Sequence, residues 1–413
     1  MTPPAGGKPT YDGQRAWGEA RALLWQHRRS VSIGLVLMVI SRASSFVLPY
    51  STKFVLDEVL PKQDLRLLGF VALAGRELAE QWRSDPWHPE IALIDTGVSS
   101  RTRIMRTVWE QTLVPARSRS AGLNLLHSLS QSAPAVAPVP LVVTIHDLIY
   151  ETHPESSGAL MNFGLRFLVP AAARSATRII TPSNATAEAV RQSLNVSPEV
   201  IDVVPEGPGR PVSEPEPGAE GRIREELGLG EGALILCVSP RRPHKNLGRL
   251  VRAMAGVPDA TLVLPGYPTG FDEELIADAR AAGVEDRVRM VGWVDDDQLE
   301  ALYRAASCAV FPSLAEGFGL PVLEAMRRGV PVAVSAVPVL EEVAGDATLF
   351  FDPHSAESIG DALRQLLGDP QLRVRLEALG LERASQFSWE QAAEGTVASY
   401  RRALATQRPD ERH

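Results

Sequence analysis

Cysteine is nearly absent from this chain of 413 residues: only Cys237 and Cys308 occur. Each lies inside an apolar run, Ala233–Val238 and Cys308–Phe311, so both read as buried thiols in a reducing compartment. No Cys/His cluster has the spacing of a zinc site. No block of Lys and Arg stands out, and the formal net charge is -8, which excludes nucleic acid as a partner. The long apolar run does not read as a secretory leader, because it begins only at Val31 and no small-residue cleavage site follows it. What remains is the composition of a soluble globular protein, 45% apolar and 22% charged, with enough length for two domains.

The first seventy residues differ from the rest. Residues 1–13 are rich in Pro and Gly and read as disordered. Arg21, His27, Arg28 and Arg29 precede the run from Val31 to Leu48, which has the length of a membrane span but carries Arg42 and four serines. A central arginine costs roughly +2.5 kcal/mol or more on insertion scales. Basic residues before the run and Asp57 and Glu58 after it orient the N-terminus toward the cytoplasm. A full span would then export everything downstream, so the run is expected not to cross: either residues 20–60 touch the membrane surface or the run packs on the domain.

Beyond residue 70, short apolar strands alternate with helical stretches. Ile91–Asp95, Leu141–Ile145, Arg178–Thr181 and Ile201–Val204 form one series. After a Pro/Gly/Glu-rich linker, 205–221, come Ala233–Val238, Ala260–Leu264, Val288–Val291, Ala309–Phe311 and Val330–Ser335. This pattern predicts parallel sheets covered on both faces. Ligands of such sheets bind at the carboxyl ends of the strands.

Three loops stand at such ends. Glu316-Gly317-Phe318-Gly319-Leu320-Pro321-Val-Leu-Glu324 follows a strand and opens a helix. Its glycines allow close backbone approach, the helix start suits a phosphate, and Glu324 is placed to accept ribose hydroxyls. From spacing alone, a glycine-containing loop with two ordinary glutamates fits equally well. Ser239 to Asn246 is basic, with Arg241, Arg242 and Lys245 able to neutralise a departing diphosphate; taken alone, a solvated basic loop is the simpler account. His146-Asp147 ends the strand Leu141–Ile145, where a lone histidine more often caps a strand than acts on a ligand. Asp295-Asp-Asp297 has an Asp-x-Asp pattern but directly precedes a helical stretch, so an acidic N-cap is expected there and no metal. Ser183 or Asn184 is likewise expected to cap a helix.

Taken together these pieces resemble the retaining glycosyltransferases of family 4, with the two-Rossmann-domain GT-B architecture, over residues 75–405. The matching stretches are Thr144-Ile-His146-Asp147, Thr181-Pro-Ser183, Val203-Val-Pro205-Glu-Gly207, Lys245-Asn246, Glu316 to Glu324 and Phe387-Ser-Trp389. The resemblance implies an α/β fold of two doubly wound domains with a deep cleft between them. It implies a GDP- or UDP-linked sugar donor, no separate cofactor, and a glycan or lipid-linked acceptor. By it, Glu316 and His146 are catalytic, and Arg241, Lys245, Gly317, Phe318, Gly319, Leu320 and Glu324 bind the donor. Its domains run 70–208 (acceptor), 209–386 (donor) and 387–405, a helix crossing back onto the first domain. Pro240 stands where the family often has arginine, five residues before the lysine. The family's first strand and Gly-rich loop are not visible, and Leu67–Leu73 is offered as a makeshift first strand. Residues 20–65 resemble instead the first transmembrane segment of an ABC exporter permease, making 1–69 a helical N-terminal extension, although no Walker motif is present and transport by this chain is excluded. The alternative to an active enzyme is an impaired nucleotide-sugar-binding protein, produced by fusion and loss of that first loop.

Overall fold

The structure, a computed structural model, describes strands Ile33–Val39, Leu68–Ala74 and Ile91–Asp95 and residues 103–156, 158–210, 212–213 and 216–406. Side chains are described from residue 107 onward, apart from 159 and 160. The expectations for residues 1–13, for Arg42 and for most of the membrane-contact segment 20–60 fall outside the described residues.

Two all-parallel sheets form the frame. The first has seven strands in the order β3-β2-β1-β4-β5-β6-β7: β1 Ile33–Val39, β2 Leu68–Ala74, β3 Ile91–Asp95, β4 Leu125–Ser128, β5 Leu141–Thr144, β6 Arg178–Thr181 and β7 Ile201–Val203. The second has six strands in the order β10-β9-β8-β11-β12-β13: β8 Ala233–Leu236, β9 Ala260–Pro265, β10 Val288–Val291, β11 Cys308–Phe311, β12 Val332–Ser335 and β13 Leu349–Phe351. Both sheets are doubly wound, Rossmann-like, and reverse direction once. The reversal lies between β1 and β4 in the first sheet and between β8 and β11 in the second.

Two expectations are corrected here. The missing first strand is present, and it lies inside the run taken as a membrane-span candidate and as part of a helical extension. β1 pairs with β2 from Ile33↔Leu68 to Val39↔Ala74 and with β4 from Leu35↔Leu125 to Met38↔Ser128. Leu68–Ala74 is thus the second strand of the sheet, not a makeshift first. The physical reason is that a fully flanked parallel strand is a continuous apolar run, and such a run has no period that separates it from a hydrophobic helix. Among the described residues no helix is long and apolar enough to cross a membrane.

The two cysteines are buried and free. Burial pushes each thiol up to about 12. Asp295 is the N-cap expected of it: its Oδ1 accepts from the Gln298 N–H at 2.8 Å, and Gln298 Oε1 accepts from the Asp295 N–H at 3.2 Å. Ser183 caps the helix Asn184–Leu194 through Thr186 N–H at 3.1 Å.

The last helix, Trp389–Ala405, packs on the first sheet. Tyr400 O–H meets His127 Nδ1 of β4 at 2.7 Å, and Thr144 Oγ1 of β5 meets the other ring nitrogen at 2.8 Å. Burial, with the nearby charge of His146, lowers the His127 pKa to about 3, so the ring is neutral. Ser399 donates to Asp202 at 2.7 Å, and Arg402 pairs with the same carboxylate at 2.8 Å. Trp389 Nε1–H donates to the Pro208 carbonyl at 3.0 Å and packs so tightly on Gly207 that a Cβ there would lie 2.6 Å from its backbone nitrogen.

Candidate active site

The second sheet reverses at β8 and β11, which pair directly at Cys308↔Ile235 and Ala309↔Leu236. The loops leaving their carboxyl ends diverge and open a crevice, and both bring charge to it. Lys245 Nζ, from the β8 loop, lies 2.6 Å from Glu316 Oε1, from the β11 loop. Ser313 Oγ–H donates to that same oxygen at 2.6 Å. Both charged side chains are 13% exposed, so this pair sits in the crevice wall and not in bulk water. Asn246, in the left-handed conformation at φ 58°, turns the β8 loop into its helix and bridges the Pro312 and Pro353 carbonyls at 2.9 and 2.8 Å. That bridge fixes the Lys245 backbone against the Glu316 loop.

The first domain supplies the opposite wall. His146 and Asp147 follow β5. The His146 ring meets Glu206 Oε1 at 2.9 Å through Nδ1 and the Leu129 carbonyl at 3.1 Å through Nε2. A carbonyl oxygen and a carboxylate are both acceptors, so the ring that satisfies both carries two protons. Burial opposes this charge, but the Glu206 bond and charge, the Leu129 carbonyl and Asp147 outweigh it, and the His146 pKa is raised above 6.5. Stability from such a group is complete below that ordinary value and is lost as pH rises through the higher folded value. Glu206→Gln should therefore lower the titration midpoint of His146, followed by NMR of its ring protons; an unchanged midpoint would remove Glu206 from this role. Burial raises the Asp147 pKa, although the Ile149 N–H, His146 and Lys245 pull it down.

The two walls touch at Gly317. Its carbonyl accepts from Thr186 Oγ1 at 2.9 Å and Ser183 Oγ at 3.2 Å, both on the first domain. A Cβ on Gly317 would overlap the His146 carbonyl and stand 3.2 Å from Asp147 Cβ. Glu342, on the helix Pro338–Ala344, reaches across to the backbone N–H of Asn184 and Ala185 at 2.8 and 2.9 Å. Closing the cleft thus requires glycine at 317. Gly317→Ala should hold the domains apart and cut kcat by about 10²-fold, the loss expected of a 1 Å misplacement. The melting temperature of the second domain should stay near that of the wild type; full turnover in the variant would show that this contact is dispensable.

Gly319 has φ +102° and a Cβ there would lie 2.8 Å from Leu340 Cδ2, so only glycine makes this turn into the helix Leu320–Arg327. Glu324, nine-tenths buried in that helix, accepts from the Arg210 N–H at 3.1 Å and from Tyr303 O–H at 3.3 Å. Burial raises its pKa against the Arg210 N–H and the charges of Arg328 and Arg210.

Two residues expected at the donor have other side-chain partners in the structure. Arg241 is 2% exposed and committed within its own domain: it pairs with Asp272 at 2.7 Å and donates to the Leu264 and Val291 carbonyls at 3.0 and 2.7 Å. It ties together the ends of β9 and β10. Arg242, the exposed neighbour, is the remaining basic partner for Lys245. Phe318 is buried edge-on to Phe387, with centroids 5.7 Å apart, and offers a ligand only its backbone. Leu320 packs partly against the same core. Sequence reasoning gave no role to Glu206 and Ser313. Glu206 lies three residues beyond β7, which is a signal of position but not of partner.

The model of the glycosyl transferases group 1 matches residues 220–383, and that of glycosyltransferase family 4 matches residues 72–207. Neither reaches the segment that resembles a permease, and that resemblance finds no support. The chain is 37% identical over 185 residues to O-antigen chain mannosyltransferase B of Escherichia coli, covering 43% of this chain and 48% of that one. It is 30% identical over 291 residues to a D-inositol 3-phosphate glycosyltransferase of Kribbella flavida, covering 65% of this chain and 67% of that one. The chain spans about half to two thirds of the length of the curated relatives it matches. The fold is that of Anabaena HepE in its complex with UDP and glucose, at a TM-score of 0.70, 20% identity, and coverage of 89% of this chain and 99% of that one.

Proposed function

We propose, from the premise that this chain belongs to the group 1 and family 4 glycosyltransferases, that it transfers a hexose such as mannose from a GDP- or UDP-linked donor to a glycan or lipid-linked acceptor. Transfer proceeds with retention at the anomeric carbon and without a metal. The observation that carries this reading is the Lys245–Glu316 pair at the reversal of the second sheet, facing His146 across the cleft.

In this reading the sugar–phosphate bond breaks while its diphosphate is held by Lys245, by Arg242 and by the N–H groups opening the helix at Leu320. These positive groups supply the charge that a divalent cation supplies in other transferases, and stabilising the departing diphosphate provides most of the rate. Glu316 lies against the transferred sugar. His146, held doubly protonated with both ring N–H groups bonded to Glu206 and the Leu129 carbonyl, supplies positive charge beside that sugar and its phosphate and does not act as a base. Glu324 takes the ribose hydroxyls. The mannose assignment rests on the name of the Escherichia coli relative. Residues of the segment 20–60 that lie outside β1 are proposed to meet the membrane surface where a lipid-linked acceptor resides, on the cytoplasmic side.

The test is incubation of the purified protein with GDP-mannose, UDP-glucose and UDP-N-acetylglucosamine, following nucleotide release and product anomer by NMR with and without a chelator. Release from none of them would sink the reading. Inversion, or loss of turnover with chelator, would sink its mechanistic part.

A further inference from the structure

The turn Pro243–Lys245 brings Lys245 into the cleft wall, and the residue beside it faces the other domain. The His244 N–H donates to Ser156 Oγ at 3.2 Å, on the turn Pro154–Ser156 of the first domain. The His244 carbonyl accepts from the Leu314 N–H at 2.8 Å, in the loop that carries Glu316. Its ring lies against His153 of the first domain, with centroids 6.5 Å apart. One residue thus joins the first domain, the Glu316 loop and, along the chain, Lys245.

The His244 ring is 5% exposed, and its Nδ1 has no hydrogen-bond partner among the described residues. A protonated ring would bury an N–H there without an acceptor, because both ring nitrogens then donate. The charged groups that face the ring oppose a proton as well: Lys245 and Arg242 on its own loop, and His153 across the interface. Carboxylates on the flanking elements do not offset them. Glu151 and Glu155 are exposed, Asp147 accepts from the Ile149 N–H at 2.9 Å, and Glu316 accepts from Lys245 and Ser313.

We propose that His244 is a positioning residue whose neutral ring seals the domain interface and holds Lys245 in the closed cleft, and that a proton on this ring opens the cleft. In the closed form burial, with the charges of Lys245, Arg242 and His153, lowers the His244 pKa from 6.5 to about 3. Opening the cleft returns the ring to water and toward its ordinary value. Closure is therefore unaffected by this group above that ordinary value, and weakens by about tenfold per pH unit below it until the closed value is reached. The inference adds to the donor reading, in which Lys245 holds the diphosphate, the condition under which that lysine is in place.

The test is size-exclusion-coupled small-angle X-ray scattering, with turnover of GDP-mannose and UDP-glucose and thermal unfolding, at pH 7 and pH 5 for the wild type, His244→Gln and His244→Arg. Between these two conditions the closed-to-open ratio of the wild type should fall by about 25-fold, the factor that the open and closed values of this one histidine give. Its radius of gyration should rise at pH 5 and its kcat fall. His244→Gln, neutral at both, should stay compact at pH 5, and its acid loss of kcat should be smaller by about the same factor. His244→Arg should be open already at pH 7. A wild-type radius of gyration that is the same at both pH values, or an acid loss of kcat as steep in His244→Gln as in the wild type, overturns the proposal. The wild type and the glutamine variant decide it even where the arginine variant fails to fold. A wild type that turns over neither donor overturns the donor reading, and the scattering comparison then still decides the role of His244.

Discussion

Lys245→Ala will lower kcat by about 10²- to 10³-fold with donor saturating, the loss expected when one preorganised electrostatic group is removed from a developing anion. Glu316→Ala will do comparable damage by a different route. The two charges are in contact at 2.6 Å and each is 13% exposed, so truncating either leaves the other with an incomplete set of partners in a partly desolvated wall. For Lys245→Ala, the Ser313 hydroxyl remains as the Glu316 partner, which keeps the loop ordered and makes the effect one on turnover more than on folding. Because the pair acts as a unit, the double variant should be little worse than the worse single one. Lys245→Arg is not a conservative control, since a planar fork replaces a point charge. The measurement is steady-state kinetics of sugar transfer beside thermal unfolding. Turnover within about threefold of wild type in either single variant would exclude that residue from the chemistry.

The contrast between Lys245 and Arg241 shows where legibility in the sequence stops. Both are basic, four residues apart, in one loop after one strand. Nothing in their local pattern says that Arg241 turns inward to Asp272 and two strand-end carbonyls while Lys245 turns to Glu316. That division is made by neighbours 23 to 71 residues away, which spacing does not encode. Five of the six strands of the second sheet were readable because they are runs bounded by turns, and β8 to β12 fall within two residues of the expected spans, whereas the short β13 was not among them. β4, Leu125-Leu-His-Ser128, was not readable. Its polar half is satisfied outside the strand: Tyr400 and Thr144 bond His127, and the Ser132 carbonyl in the following loop accepts from Ser128. The Glu316 to Glu324 motif was found as a unit, yet its inner division, Phe318 into the core and Glu316 into the cleft, appears only with Phe387 and Lys245 in place.

Deleting residues 1–65 will give an insoluble chain, although the sequence alone reads this segment as an extension ahead of a makeshift first strand at Leu67–Leu73. The deletion removes β1, which the sheet flanks on both sides. Seven of its positions pair with β2 and four with β4. Each backbone hydrogen bond contributes on the order of 1 kcal/mol net, so even part of that ladder rivals the 5–15 kcal/mol that keeps an ordinary domain folded. Its loss also uncovers two facing edges, on β2 and on β4, each a row of unpaired N–H and C=O groups ready to pair with another chain. β2 and β3 would remain attached by sequence but joined to nothing else in the sheet, since β1 is their link to β4. Leu37→Pro gives a point version of the same test. Leu37 is paired with Ala72 on one side and His127 on the other, and proline cannot donate to a central ladder. The measurement is soluble yield and cooperative thermal unfolding of the full chain, the truncation and Leu37→Pro. A soluble truncation that unfolds cooperatively and still binds nucleotide would place the start of the first domain after residue 65 and return the apolar run to the status of an extension.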